Sequence, residues 1–350
     1  MRYIEQSRYI VLHAPRQTGK TTTLYALERD LNTEGEYLAL VVSCEQASLA
    51  GNDYTAVIDA LLAQITEEAF ALGLSPEQMP PSPWPDAPPE NRLRNGLTAW
   101  ARSCPLPIVL FLDEIDSLRG ESLISVLRQL RAGYNSRSRT PFPSSVVLCG
   151  MRQVRDYKVA SGGDPERSNP YSPFNIAVRL RMSDFTREQV TELYGQHTAE
   201  TGQEFTPEAL DRAFEYSQGQ PWLVNAIASE ITSEMRILPP EPITAEHVDK
   251  AKERLILAWA THLDSLAFRL DEPRVRRVVE PLIAGAQHDT GRAEYNDDLS
   301  YVRDLGLIAE SNPIRISNPI YKEVVIRVLA DGFAGQVTAE PRSSCCRTAD

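Results

Sequence analysis

The fold turns on one stretch, Tyr9-Ile-Val-Leu-His13-Ala14-Pro15-Arg16-Gln17-Thr18-Gly19-Lys20-Thr21-Thr22. Tyr9 to His13 is a short apolar, β-branched run that stops at Ala14-Pro15, the pattern of a buried strand entering a turn. Beyond it Leu24, Leu27 and Leu31 recur at spacings of three and four, which predicts a helix from Thr21 to Leu31. Between strand and helix, Ala14 to Thr21 matches the phosphate-binding pattern G-x-x-x-x-G-K-[ST], with Ala in place of the first Gly. Backbone N–H groups of such a loop and of the helix start converge on one anion. Lys20 adds a mobile charge between the β- and γ-phosphates, and Thr21 offers its hydroxyl to Mg2+. A helix start without an anion would favour an acidic residue rather than Lys20 at its positive end. Ala14 is tolerated where the backbone needs no positive φ. The predicted phosphate cradle is Ala14, Pro15, Arg16, Gln17, Thr18, Gly19, Lys20, Thr21 and Thr22.

Further along, Ile108-Val-Leu-Phe-Leu112 is a continuous apolar run, the mark of a strand buried on both faces of a parallel sheet, and it ends in Asp113-Glu114. Acidic groups at the C-terminal edge of a parallel strand stand beside the phosphate loop, where Asp113 can hold the Mg2+ shell and Glu114 can polarise an attacking water as general base. Asp116 reads as an N-cap of the following helix. Runs at Tyr37–Ser43, Val146–Leu148 and Ile176–Leu180 bring the strands to five. Helical periodicity falls at Tyr54–Phe70, at Leu93, Leu97 and Trp100, and at Leu123, Leu127 and Leu130. Strands alternating with helices predict a doubly wound α/β layer. Seven prolines between Ser75 and Glu90 predict an extended surface loop.

Past residue 182 the pattern is helical, with start signals at Thr186 and Gln189, at Thr206-Pro207 and at Thr244. From 265 the order is a helix on Val275, Val278, Val279 and Leu282, a helix on Leu299, Val302 and Leu305, and short strands Gly306–Ile308 and Ile314–Ile316 about Asn312-Pro313. A last helix starts at Tyr321. Helix, helix and hairpin suggest a winged helix. The segment from Asp331 lacks apolar periodicity and is expected to be disordered.

Composition narrows the function. Among 350 residues, 36 Lys and Arg stand against 48 Asp and Glu, a net charge of -12, so a chain-wide grip on nucleic acid or anionic lipid is not expected and only a local basic patch stays open. From Asp271 to Ala330, eight basic residues face ten acidic ones, and Arg274, Arg276 and Arg277 are the one small cluster. With 42% hydrophobic and 24% charged residues the balance is that of a globular chain. The longest apolar runs fall far short of the roughly 20 residues that span a bilayer, and the N-terminus lacks a secretory core, which predicts a cytoplasmic protein with no membrane partner. The five cysteines show no C-x-x-C spacing, and neither a metal site nor a disulfide is assigned to them.

The loop of Gly19-Lys20-Thr21 together with Asp113-Glu114 resembles the P-loop ATPases with an additional strand and a catalytic glutamate, a group that includes the AAA-type ATPases. Gly219-Gln220-Pro221-Trp222 looks like the Gly-x-Pro signature of their STAND class, the signal-transduction ATPases. Ser172-Pro173-Phe174-Asn175 and Phe185-Thr186 resemble bacterial and archaeal relatives of that class. The resemblance spans Arg8 to Leu329. It implies four segments: a P-loop ATPase core (1–182), a helical lid (183–264), a winged-helix domain (265–330) and a disordered tail (331–350). It also implies binding of ATP and ADP with Mg2+, slow hydrolysis, and Pro221 set against the adenine-bearing nucleotide. Against that pattern the sequence shows little before Arg8, and no effector domain is expected after the winged helix. Where AAA-type relatives carry a polar sensor, it has Cys149, a poor hydrogen-bond partner for a γ-phosphate. Arg152 is then the candidate to read the γ-phosphate or stabilise transition-state charge, while Arg128, Arg131 and Arg137 are candidates to serve a neighbouring subunit. The expected function is a nucleotide switch controlling lid closure and association with itself, as a homo-oligomer, or with a protein partner. The alternative is a nucleotide-stabilised adaptor that binds DNA or protein through the winged helix with little hydrolysis.

Overall fold

A computed structural model describes residues 1–150, 176–258, 268–285, 293–309 and 313–337. The chain divides into two compact units, Met1–Ser183 and Asp184–Asp350.

The N-terminal unit is built on strands β1 (Tyr9–His13), β2 (Leu38–Ser43), β3 (Ile108–Asp113), β4 (Ser145–Gly150) and β5 (Ala177–Arg181). They form one parallel sheet in the order β2-β3-β4-β1-β5, so β4 separates the strand that feeds the phosphate loop from the strand that ends in Asp113. The helices of this unit are α1 (Arg2–Glu5), α2 (Lys20–Glu34), α3 (Tyr54–Ala71), α4 (Pro89–Ser103) and α5 (Gly120–Ser136). Side-chain alternation along the strands splits the core in two. Tyr9, Val11, Leu110 and Leu112 pack with residues of α3, α4 and α5. Ile10, Leu12, Val109 and Phe111 pack with Ile4 of α1 and with Leu24 and Leu31 of α2. By the same parity Asp113 shares its face with Val109 and Phe111, the face that α2 covers.

The free edge of β2 is closed from within the unit. Ala39 exchanges two hydrogen bonds of 2.9 Å with the Asn32 side chain, and the Val41 N–H donates to Glu28 Oε1 at 2.6 Å. Helix side chains thus occupy backbone groups that would otherwise template a foreign strand. The proline-rich segment is tied down rather than merely extended. Trp84 Nε1 donates to Leu62 O at 3.1 Å and Thr66 Oγ1 at 3.0 Å, Trp100 Nε1 donates to Gln78 O at 2.8 Å, and the two indoles meet edge to face at 6.5 Å.

In the C-terminal unit the first helices run Arg187–Thr201, Pro207–Ser217, Pro221–Ser229 and Ala245–Leu257. Thr186 and Gln189 close a capping box, and the Thr206 hydroxyl accepts from Ala209 N–H, as their sequence signals predict. Helices Pro273–Ile283, Ala293–Asp304 and Pro319–Val337 follow. Between the last two, Ile308 and Ile316 form an antiparallel bridge flanked by Ala309 N–H to Arg315 O at 2.8 Å and Ser317 N–H to Leu307 O at 3.0 Å. The last helix differs from expectation at both ends. It begins at Pro319, where the Asn318 side chain accepts from Tyr321 N–H at 2.8 Å, and it continues to Val337 through the start of the expected disordered tail. Adding a turn to an already long helix costs little, so the lack of apolar periodicity after Asp331 did not stop it. No helix among the described residues is long and apolar enough to cross a membrane.

Candidate functional site

The predicted phosphate loop connects β1 to α2 at the C-terminal edge of the sheet, the edge where ligands bind in open parallel sheets. The backbone takes positive φ at Gln17 (56°) and Gly19 (81°) but not at Ala14, which is why alanine serves in the first position of the motif. A Cβ at Gly19 would meet nothing within 4 Å, so the loop faces open space. Thr18 Oγ1 donates to Pro15 O at 2.9 Å and braces the turn from inside. Lys20 Nζ folds back onto the loop, donating to Ala14 O at 3.0 Å and to Pro15 O at 2.6 Å. Burial pushes the Lys20 ammonium below the usual lysine range, with Asp116 and Asp113 pulling against that trend. Arg16, Gln17, Thr21 and Thr22 are exposed at the mouth.

Thr21 Oγ1 donates to Asp113 Oδ2 at 2.6 Å, joining the two halves of the sequence motif across β4. A hydroxyl beside a carboxylate at an open loop suits a small hard cation that keeps several waters, so the residues fit Mg2+. The next residue, Glu114, takes a left-handed conformation (φ 52°), turning its exposed carboxyl away from the strand. Ser43 Oγ donates weakly to Glu114 Oε2 at 3.4 Å. Partial desolvation of this largely exposed group and the neighbouring Glu45 and Asp113 carboxyls raise the Glu114 pKa. Ser43 and Glu45 escaped the sequence reading because only the pairing of β2 with β3 brings them to Glu114; the register Ser43 to Asp113 is the signal that would have found them.

One expectation is corrected here, and one residue gains a partner that its sequence position did not reveal. Asp116 does not cap α5, whose N-cap is Arg119. The left-handed turn at Glu114 leads into a short 3-10 turn at Ile115–Ser117, so Asp116 falls short of the helix and its charge acts on Lys20 instead. Cys149, passed over as a poor sensor, lies at the register position beside Asp113, since Leu112 of β3 pairs with Leu148 of β4. The Cys149 thiol hydrogen-bonds Asp113, and burial together with that carboxylate drives its pKa up, so it stays protonated. Arg152 and the Ser172–Asn175 stretch lie outside the described residues. Arg137 is occupied at the opposite end of the sheet, donating to Ser7 O at 2.6 Å and stacking on Tyr134 at 3.9 Å.

In the C-terminal unit, Pro221 is buried at the first position of its helix, with the Gln220 side chain accepting from Leu223 N–H at 2.6 Å. Gly219 (φ 78°) is a conformational requirement: a Cβ there would stand 1.9 Å from Phe185 O, while Phe185 N–H donates to Gly219 O at 2.8 Å. Each arginine of the basic cluster has a carboxylate close at hand. Arg277 donates to Asp298 at 2.9 and 2.7 Å, Arg274 reaches the same carboxylate at 3.4 Å while stacking on Tyr301, and Arg276 pairs with Asp271 at 3.2 Å.

Residues 3–157 match the family model described as an AAA domain. No curated protein matches the sequence. Among solved structures, a Walker-type ATPase of Pyrococcus abyssi is 15% identical over 93% of this chain and 94% of its own, with a TM-score of 0.59. The RuvB Holliday junction branch migration motor of Thermotoga maritima is 17% identical over 93% and 90%, at a TM-score of 0.47. The Orc1 protein of Aeropyrum pernix, solved in complex with DNA, is 17% identical over 94% and 88%, at 0.42. The P. abyssi likeness carries the fold alone. The match of residues 3–157 to an AAA domain, taken with the strand order, supports an AAA-type P-loop NTPase fold for the N-terminal unit.

Proposed function

We propose that the protein is an ATP-hydrolysing switch of the STAND type, in which ATP with Mg2+ and ADP favour different arrangements of the chain. The observation that carries the reading is the 2.6 Å bond from Thr21 Oγ1 to Asp113 Oδ2 beside a loop that opens at Gly19. Bound Mg2+ would neutralise charge developing between the β- and γ-phosphates, with Thr21 and Asp113 as the residues to hold it. Lys20, resting on the carbonyls of Ala14 and Pro15, is free to exchange those acceptors for phosphate oxygens. Backbone N–H groups from Arg16 to Thr22 would complete the cradle at the positive end of α2. Glu114, held beside Ser43, is the candidate base for the attacking water; its raised pKa moves its affinity for a proton toward neutral pH. Arg152 is the candidate cation for the γ-phosphate, and Pro221 the contact to the nucleotide from the segment 183–264, read as a lid.

In this reading the bridged helices after 265 act as a winged helix that docks protein, a second copy of the chain included, rather than DNA. The pairing of Arg274, Arg276 and Arg277 with Asp298 and Asp271 favours that choice, because each of these arginines would have to give up a carboxylate to hold a phosphate. ATP binding and turnover on wild-type and Glu114→Gln protein, followed by light scattering with and without nucleotide, test the proposal. It predicts turnover in the wild type, roughly 100-fold or greater loss in the variant with ATP retained, and a change of mass or shape with nucleotide. ATP bound without turnover or any change of state would favour an adaptor instead.

A further inference from the structure

Thr21, Glu28 and Asn32 fall at i, i+7 and i+11 of α2 and therefore lie on one stripe of the helix. Each makes a polar bond to the sheet: Thr21 to Asp113 of β3 at 2.6 Å, Glu28 to the N–H of Val41 in β2 at 2.6 Å, and Asn32 to both backbone groups of Ala39 in β2 at 2.9 Å. The stripe runs about 16 Å along the helix axis. Leu24 and Leu31 also hold α2 to the sheet, but apolar contact is non-directional and tolerates sliding. The bonds at Glu28 and Asn32 do not. The two-way amide pair at Ala39 specifies position along the strand, and the buried Glu28 carboxylate accepts from a single N–H two residues on.

From these contacts we infer that Glu28 and Asn32 are positioning residues of the nucleotide site, fixing the axial register of α2 on β2 and hence the place of Thr21 and Lys20 against Asp113. The inference rests on the nucleotide-binding reading of the loop. β2 and β3 are paired in continuous register from Leu38–Ile108 to Ser43–Asp113, so the strand that α2 grips is rigidly joined to the strand that bears Asp113. Helix, edge strand and Asp113 strand close a loop of directional bonds. Releasing the far end of α2 frees its near end to drift, and displacements on the order of 1 Å at such a site can cost about 100-fold.

The test is binding of a fluorescent ATP analogue to the full-length protein across a Mg2+ titration, read beside the thermal midpoint, for wild type, Glu28→Ala, Glu28→Gln, Asn32→Ala and Asn32→Asp. Asn32→Ala and Glu28→Ala should need about tenfold more Mg2+ for half-maximal binding. Glu28→Gln, whose amide oxygen still accepts from Val41 N–H, should return close to wild type. If the alanine variants do not fold, Asn32→Asp decides, since it keeps the acceptor for Ala39 N–H and loses the donor; a several-fold rise in the Mg2+ requirement is then expected. A lowered thermal midpoint with an unchanged Mg2+ requirement would overturn the inference and leave the two residues a structural role alone. Absence of binding by the wild type would instead bring down the nucleotide reading itself, and the inference with it.

Discussion

At the C-terminal edge of the sheet in the N-terminal unit, Lys20 leans on carbonyls of its own loop and Thr21 on Asp113, beside open space at Gly19. In the C-terminal unit, Arg277 and Arg274 close on the nearly buried Asp298, and Arg212 and Tyr216 close on Asp249 at 2.6 and 2.7 Å. The two regions use similar residue types differently. A lysine held by neutral carbonyls can exchange them for an anion at small cost, whereas an arginine already on a carboxylate must give up a charge-assisted bond to do so. Charge content alone does not mark a binding site; what each charge already touches does.

That contrast can be broken or sharpened by substitution. The largest effect belongs to Lys20→Ala, which should abolish ATP binding while leaving the thermal midpoint within about 2 °C of wild type; equal nucleotide affinity by calorimetric titration would break the comparison on the N-terminal side. Next comes Gly219→Ala, which forces a Cβ to within 1.9 Å of Phe185 O at a φ of 78°. It should cost about 2 kcal/mol or more and lower the midpoint by on the order of 4–8 °C. An unchanged calorimetric midpoint would show that the segment at Phe185 yields. Asp298→Asn should destabilise by about 1–2 kcal/mol in urea, because it leaves two arginines without their carboxylate. If it also creates salt-sensitive DNA retention, the home pairing is what masks a DNA surface. The smallest effect is expected at Arg276→Ala, below about 0.5 kcal/mol, since the partner Asp271 is 72% exposed; a larger loss would show that its bond to Leu270 O at 2.8 Å matters more than its charge.

The elements that local periodicity defines were legible in the sequence. Tyr9–His13 is the strand predicted, Ile108–Leu112 grows by only Asp113, and Thr186 with Gln189 caps its helix. The meeting of the loop with Asp113 was legible because it follows from a spacing of residue types that phosphate and cation binding would require. What the sequence hid depends on pairing between distant strands. Cys149 meets Asp113, and Ser43 meets Glu114, only through the register of a sheet whose order places β4 between β1 and β3. Glu28 falls among the polar positions of the predicted helix and Asn32 just past its predicted end, and neither stands out until the free edge of β2 is seen beside them. Trp84 likewise gives no periodic signal, yet it anchors the proline-rich segment.

The central claim is that the loop and the Asp113–Glu114 pair form one hydrolytic site. Single-turnover ATP hydrolysis in the presence of Mg2+, compared between wild type and Glu114→Gln with bound nucleotide quantified in the same samples, tests it most directly. The account predicts that the wild type converts bound ATP to ADP while the variant holds ATP at near wild-type occupancy and converts it at least about 100-fold more slowly. Equal rates of conversion in the two proteins would contradict it.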